Sequence, residues 1–378
     1  MNAIRVLTLD GGGMRGLYTA TVLRSLASRF AASRQTDQLD VGKGFDLAVG
    51  TSTGAILAAA IAAGVPLDRV TALYEGAGPR IFVEPIPRYD NSSRLRRVRF
   101  LRWAFRHRNR PANSNAVLKS ELQRIFGNET FGQVYSRRGI GLCVSATGFL
   151  QHHPRVFKTA HLEKKDRDDG LKLADACLAS SAAPIYLPLA SITADDQPDQ
   201  VYADGGLWVN NPVLMGLIEG LAVSKPEQRV VILSVGTCPP TPGSRPSEDM
   251  DLGIIGWRAG VLPIQLAMNT QSRAATYAAT LLGAELRRLG KRISILRCEQ
   301  TSPSEDYTDL LQLDSASEQA LSLMRSLGNE DAQQTYRWCQ LEDDERGRWL
   351  TEIFHRMPEV DRTSNTRPER KTQDEELR

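Results

Sequence analysis

The chain has 378 residues, 41% of them hydrophobic and 24% charged, which is enough apolar material for a large core and length for two or three domains. With 47 Lys and Arg against 44 Asp and Glu, the net charge of only +3 says little about partners. Five cysteines (Cys143, Cys177, Cys238, Cys298, Cys339) stand singly without metal-site spacing; they read as reduced, buried thiols of a cytosolic protein, with no metal site.

The N-terminus, MNAIRVLTLDGGG, lacks the basic stretch and apolar core of a signal peptide. Residues 4–9 read as a short buried strand. Asp10-Gly11-Gly12-Gly13-Met14-Arg15-Gly16 follows, leading into a helix with Leu17, Val22, Leu23, Leu26 and Phe30 on one face. Gly11, Gly13 and Gly16 fit G-x-G-x-x-G, so a dinucleotide-binding module is one reading. That module wants a second strand ending in an acid about 20 positions on. Asp37 and Asp40 lie near that distance, but residues 33–40 are too polar for a strand. The other reading is a backbone whose N–H groups converge on one anion, helped or braced by Arg15.

Residues 45–49 form the next strand, and Gly50-Thr51-Ser52-Thr53-Gly54 opens an alanine-rich helix. Strand, tight turn and helix are what a nucleophile elbow requires, with glycine at 50 and 54 because the backbone crosses closely there. The bland alternative is that Ser52 only caps the helix. Residues 47–67 carry no charge over 21 positions. Glycines, hydroxyl residues, Pro66 and weakly apolar alanines interrupt them, so no segment is expected to span a membrane.

Residues 88–110 hold nine arginines against one acid, Asp90, leaving the rest of the chain net negative. Leu95, Val98, Leu101 and Phe105 fall at helical spacing among them, with Phe100 and Trp103 nearby. A basic amphipathic helix of this kind suits an anionic membrane surface or a phosphate-bearing ligand, with Arg96, Arg97, Arg99, Arg102 and Arg106 as candidate anion- or activator-binding residues. The alternative is a solvated face, partly neutralised by acids such as those at 166–169.

Further strands are expected at 139–146 and 155–159, and a helix at 171–180 stopped by Pro184. Asp195, Asp196 and Asp199 lack calcium-loop spacing and read as turn residues. A short apolar run then delivers Asp204, with Gly205 and Gly206 keeping its surroundings open. Beyond it come a core strand at 229–235, a proline-punctuated loop at 236–251, a long helix at 262–289, a strand at 291–296 and a helix at 317–327. One domain is expected over 1–357, with a polar, disordered tail over 358–378.

A serine needs a base. Of the five histidines only His355 follows Asp204, and its surroundings do not resemble a buried strand end. Asp204, made more basic by screening from water, is the better candidate, in a serine–aspartate dyad.

Asp10-Gly-Gly-Gly-Met-Arg15-Gly16, Gly50-Thr-Ser52-Thr-Gly54, Ser181-Ala-Ala-Pro184 and Asp204-Gly-Gly-x-x-x-Asn210-Asn211-Pro212 together resemble, in order, the motifs of the patatin-like phospholipase family. The resemblance covers residues 4 to about 235. It implies a three-layer α/β/α hydrolase fold around a mostly parallel sheet, with Ser52 as nucleophile, Asp204 as general base and an oxyanion hole from Gly11, Gly12, Gly13 and Arg15. It also implies cleavage of fatty-acyl esters of membrane phospholipids without metal or organic cofactor, by a cytoplasmic protein working peripherally at the inner face of the membrane. A narrower resemblance rests on Phe157-Lys158-Thr159 and the segment 178–184. It points to the phospholipase effectors of cyclic-oligonucleotide anti-phage defence, implying a cyclic dinucleotide activator from a cGAS-like synthase. No nucleic-acid partner is implied, and homo-oligomer formation at a membrane is compatible. Competing readings are a constitutive esterase without nucleotide control, the nucleotide-binding module at Gly11–Gly16, and a membrane-binding scaffold on an inactive hydrolase fold.

Overall fold

In the computed structural model, which describes residues 2–89, 93–162, 166–193, 200–238 and 253–360, eight strands form one sheet in the order β5-β6-β3-β2-β1-β7-β8, with β4 also paired to β3. The strands are β1 (Ala3–Leu9), β2 (Leu47–Thr51), β3 (Gly141–Gly148), β4 (His153–Lys158), β5 (Ala190–Ile192), β6 (Gln200–Asp204), β7 (Arg229–Val235) and β8 (Ile293–Arg297). β3, β2, β1, β7 and β8 run parallel; β4, β5 and β6 add antiparallel pairings at one edge.

Strand alternation separates two cores. Leu7, Leu9, Ala48, Leu142, Val144, Val231 and Leu233 face one side. There they meet helices α1 (Gly16–Ser33) and α2 (Thr53–Ala63), beyond which the arginine-rich α3 (Arg94–Arg106) and then α4 (Leu173–Ser180) follow in the chain. Val6, Leu47, Val49, Cys143, Val230 and Ile232 face the other side, against α5 (Val213–Val223) and α6 (Val261–Arg288). α7 (Glu318–Tyr336) packs on α1, and α8 (Glu345–His355) closes the first layer. A sheet with both faces covered explains why its strands read as continuous apolar runs rather than alternating ones.

Several expectations shift. The helix expected at 317–327 continues to Tyr336. The three-residue strand β5 carried too short a signal to be read. Residues 358–360 are not part of a free tail: Pro358 O accepts the Asp40 amide at 2.8 Å and the Val360 amide donates to Gln38 O at 2.8 Å. The rest of the expected tail (361–378), the Asp195, Asp196 and Asp199 turn (194–199) and most of the proline-rich loop (239–252) lie outside the described residues. The cysteines are free thiols, four of them buried. Among the described residues no helix is long and apolar enough to cross a membrane.

Candidate active site

Ser52 joins β2 to α2 with φ 53° and ψ −124°, a backbone conformation costly for a non-glycine residue. A Cβ on Gly50 would lie 2.2 Å from Gly54 O, and one on Gly54 2.2 Å from Leu9 O. The crossing backbone thus leaves room only for glycine at both positions. The Ser52 side chain makes no capping bond to α2; its hydroxyl instead donates to Asp204 Oδ2 at 2.7 Å.

Register creates this meeting. Thr51 pairs with Ser145 on β3, and the next β3 residue, Ala146, pairs with Asp204 on β6. The serine and the carboxylate therefore lie at the same level on either side of β3. Asp204 Oδ1 accepts the Gly206 amide at 2.6 Å. Burial pushes the Asp204 carboxyl up to about 6, while the bonds from Ser52 and Gly206 pull it the other way. A Cβ on Gly205 would lie 2.4 Å from Ser145 Oγ, so close packing fixes that glycine as well.

The segment after α4 ties the two side chains together. Ser180 Oγ accepts the Ser52 amide at 2.8 Å. Ser180 O accepts the Gly205 amide at 3.2 Å and Ala182 O accepts the Asp204 amide at 2.9 Å. Sequence reasoning flagged Ser181–Pro184 as a motif but missed Ser180, because nothing in its residue type marks it.

The glycine loop is less open than expected. The Gly11 amide is spent on Asn210 O at 2.8 Å, and the Asp10 and Met14 amides donate to Val235 O and Leu313 O. Among the described residues only the Gly12 and Gly13 amides in the loop have no partner, and Gly13 lines the same pocket as Ser52. Arg15 is buried with Nε on Gly12 O at 3.3 Å, so it braces the loop; burial lowers it to about 10, which leaves it charged at neutral pH. The amide of Thr53, immediately after Ser52, is also unpartnered among the described residues. That donor was not anticipated. Two open loop amides are too few to cradle a pyrophosphate, and Asp40, one of the two acids near the distance that module requires, is held by Arg138 at 2.7 Å.

Asp10 at the loop's start accepts Arg297 Nη1 at 2.9 Å and Nη2 at 2.5 Å. Arg297, on β8, lies in the part of the chain that no motif reaches. No histidine among the described residues bonds Ser52 or Asp204; His355 lies edge-on to Phe30, 6.0 Å between ring centres. Behind Ser52 runs a narrow apolar pocket walled by Met14, Ile56, Leu73, Phe82, Leu118, Leu187 and Leu313, and the Ser181 hydroxyl on its lining has no partner among the described residues. An alkyl chain fits such walls.

Cys143, His161 and Glu219 bring thiol, imidazole and carboxylate within 4.8 Å of one another behind the sheet. Lys158 Nζ already holds Glu219, and His161 Nδ1 faces Thr159 Oγ1 at 2.8 Å. The cluster is therefore a charge-paired interior group.

The family model described as patatin-like phospholipase matches residues 7–217. The chain is 34% identical over 270 residues to a "cGAMP-activated phospholipase" of Pseudomonas aeruginosa, covering 71% of this chain and 72% of that one. A "cGAMP-activated phospholipase" of Vibrio cholerae is 31% identical over 348 residues, covering 89% and 92%. A "cUMP-AMP-activated phospholipase" of Escherichia coli is 31% identical over 253 residues, covering 64% and 68%.

Proposed function

The chain belongs to the patatin-like phospholipase family of hydrolases, and from that premise we propose that it cleaves fatty-acyl esters of membrane phospholipids through a Ser52–Asp204 dyad under cyclic-dinucleotide control. The observation that carries the reading is the 2.7 Å bond from the Ser52 hydroxyl to a buried carboxylate, at the apex of a strained elbow and at the mouth of an apolar pocket.

In this reading Asp204 takes the Ser52 proton as Oγ attacks the ester carbonyl. The amides of Gly12, Gly13 and Thr53 hold the oxygen that becomes negative. Collapse breaks the bond to the lysophospholipid alkoxide, which leaves with the proton from Asp204. Water, deprotonated by Asp204, then attacks the acyl-serine, and Asp204 returns that proton to Ser52 Oγ as the fatty acid is released. No metal or organic cofactor enters these steps. Control by a cyclic dinucleotide is suggested by the names of the similar proteins; a role in anti-phage defence rests on the motif resemblance alone.

The test is lipid mass spectrometry on membranes incubated with the protein, with and without cyclic dinucleotides, alongside fluorophosphonate labelling. Labelling and fatty-acid release that both vanish in Ser52→Ala support the dyad; a label that persists overturns it. Release that ignores every cyclic dinucleotide leaves a constitutive esterase.

A further inference from the structure

Helix α3 is attached to the body along one edge only. Phe100 is buried, its ring centre 5.3 Å from that of Tyr89 and 5.8 Å from that of Trp103, and Trp103 stacks on His107 at 5.2 Å. At 3.6 residues per turn, positions 100, 103 and 107 share that edge. Leu95, Val98, Leu101 and Phe105 lie opposite, 70%, 45%, 37% and 70% exposed. Their spacing would ordinarily mark a core face. Here it faces outward.

Charge decides what covers this stripe. Arg94, Arg97, Arg99 and Arg102 are exposed and form no ion pair among the described residues; on this helix Arg106 pairs with Glu84 at 3.1 Å. Of the acids at 166–169 expected to neutralise them in part, Asp168 is taken by Arg155 and Arg167 instead. An apolar row set among unneutralised guanidinium groups matches a bilayer with anionic headgroups, which offers acyl chains beneath phosphates.

Position gives the stripe a purpose. Trp103 and His107 wall a groove that is also lined by Phe149, Leu189 and Leu207. Leu207 follows Asp204 by three residues, and Leu187 lines both this groove and the Ser52 pocket.

We propose that α3 lies in the interface of an anionic bilayer, with Leu95, Val98, Leu101 and Phe105 among the acyl chains and Arg94, Arg97, Arg99 and Arg102 on the phosphates. The groove along the helix's inner edge then lies between the membrane-bound helix and the Ser52 pocket, and an acyl chain reaches Ser52 by way of Leu187. The delivery step rests on the lipase reading; the binding itself does not.

The experiment is co-sedimentation of the full Ser52→Ala chain, which cannot digest lipid in that reading, with phosphatidylcholine vesicles made with or without phosphatidylglycerol. Anionic vesicles should bind at least about tenfold more tightly than neutral ones, and high salt should erase the difference. Leu95→Asp with Phe105→Asp should weaken anionic-vesicle binding at least about tenfold. Arg97→Gln, Arg99→Gln and Arg102→Gln together should weaken it and flatten the salt dependence. In a chain with Ser52 intact, Leu95→Asp with Phe105→Asp should turn over a water-soluble short-chain ester at the parent rate. Loss of that turnover in the parent indicts the hydrolase reading, not this one. Equal parental binding to both vesicles, or undiminished binding by Leu95→Asp with Phe105→Asp, overturns the proposal. Arginine variants that lose cyclic-dinucleotide activation but keep vesicle binding overturn it too, in favour of a nucleotide site.

Discussion

Arg297 grips Asp10 with both guanidinium nitrogens, at 2.9 and 2.5 Å, across 287 residues of sequence. Asp10 is the last residue before the glycine loop and is almost fully buried; desolvation raises its pKa against the pull of Arg297. The same Arg297 also donates to Ser234 Oγ at 2.7 Å, which binds β8, β7 and the loop's start into one unit. The oxyanion donors proposed at Gly12 and Gly13 thus hang from an ion pair made by the C-terminal third of the chain.

Breaking that pair should be costly. Arg297→Ala leaves a buried carboxylate uncompensated, and losses of this kind run to about 3–5 kcal/mol. The Arg297 side chain remains 28% exposed, so the lower end, about 3 kcal/mol, is expected. Denaturant unfolding measures it. A variant as stable as the parent would show that Asp10 finds another partner.

Asp204 should set the pH profile. A base with its pKa at about 6 is half-ionised there, so turnover rises with pH through that value and levels off above it. Asp204→Asn should lower turnover by roughly 10²–10⁴ and remove the inflection. His355→Ala should leave both untouched.

Stability should move the other way in the same variant. The folded pKa lies above the ordinary value of 3.8 that the unfolded chain regains, so the buried charge is a penalty absent below about 4 and complete above about 6. A tenfold change in proton affinity is worth about 1.4 kcal/mol, so Asp204→Asn should gain about 2–3 kcal/mol at pH 8. That gain should vanish by pH 4. Thermal unfolding at the two pH values reads this directly; a gain that is independent of pH would contradict the assignment.

Ser180→Ala removes the acceptor of the Ser52 amide. A buried N–H left unpaired costs about 1–3 kcal/mol, and because it belongs to the nucleophile's own backbone the elbow should relax. Fluorophosphonate labelling should slow about tenfold or more, since about 1.4 kcal/mol is a factor of ten. Labelling at the parental rate would mean the elbow holds its shape without this bond.

Gly54→Ala should fail where Gly170→Ala succeeds. The first puts a methyl 2.2 Å from Leu9 O, a backbone atom that cannot step aside; the second meets nothing within 4 Å. A loss of at least about 3 kcal/mol is expected for the first, and a change within about 0.5 kcal/mol for the second. Soluble yield and melting temperature separate them.

Local chemistry in the sequence determined a great deal. Gly50, Ser52 and Gly54 between an apolar run and an alanine-rich helix specify an elbow because its turn forbids a Cβ, whatever lies around it. Asp204 was legible for the same reason, set between a strand and two glycines. Only the tertiary structure decided what register and packing control. Gly11 lost its amide to Asn210, Ser180 gained the Ser52 amide, and Arg297 became the anchor of Asp10, through contacts between segments 100 or more residues apart. The arginine-rich helix shows the limit most plainly. Its period announced an apolar face, but a period carries no sign. Phe100 and Trp103 took the inner edge, and Leu95, Val98, Leu101 and Phe105 were left to the solvent side.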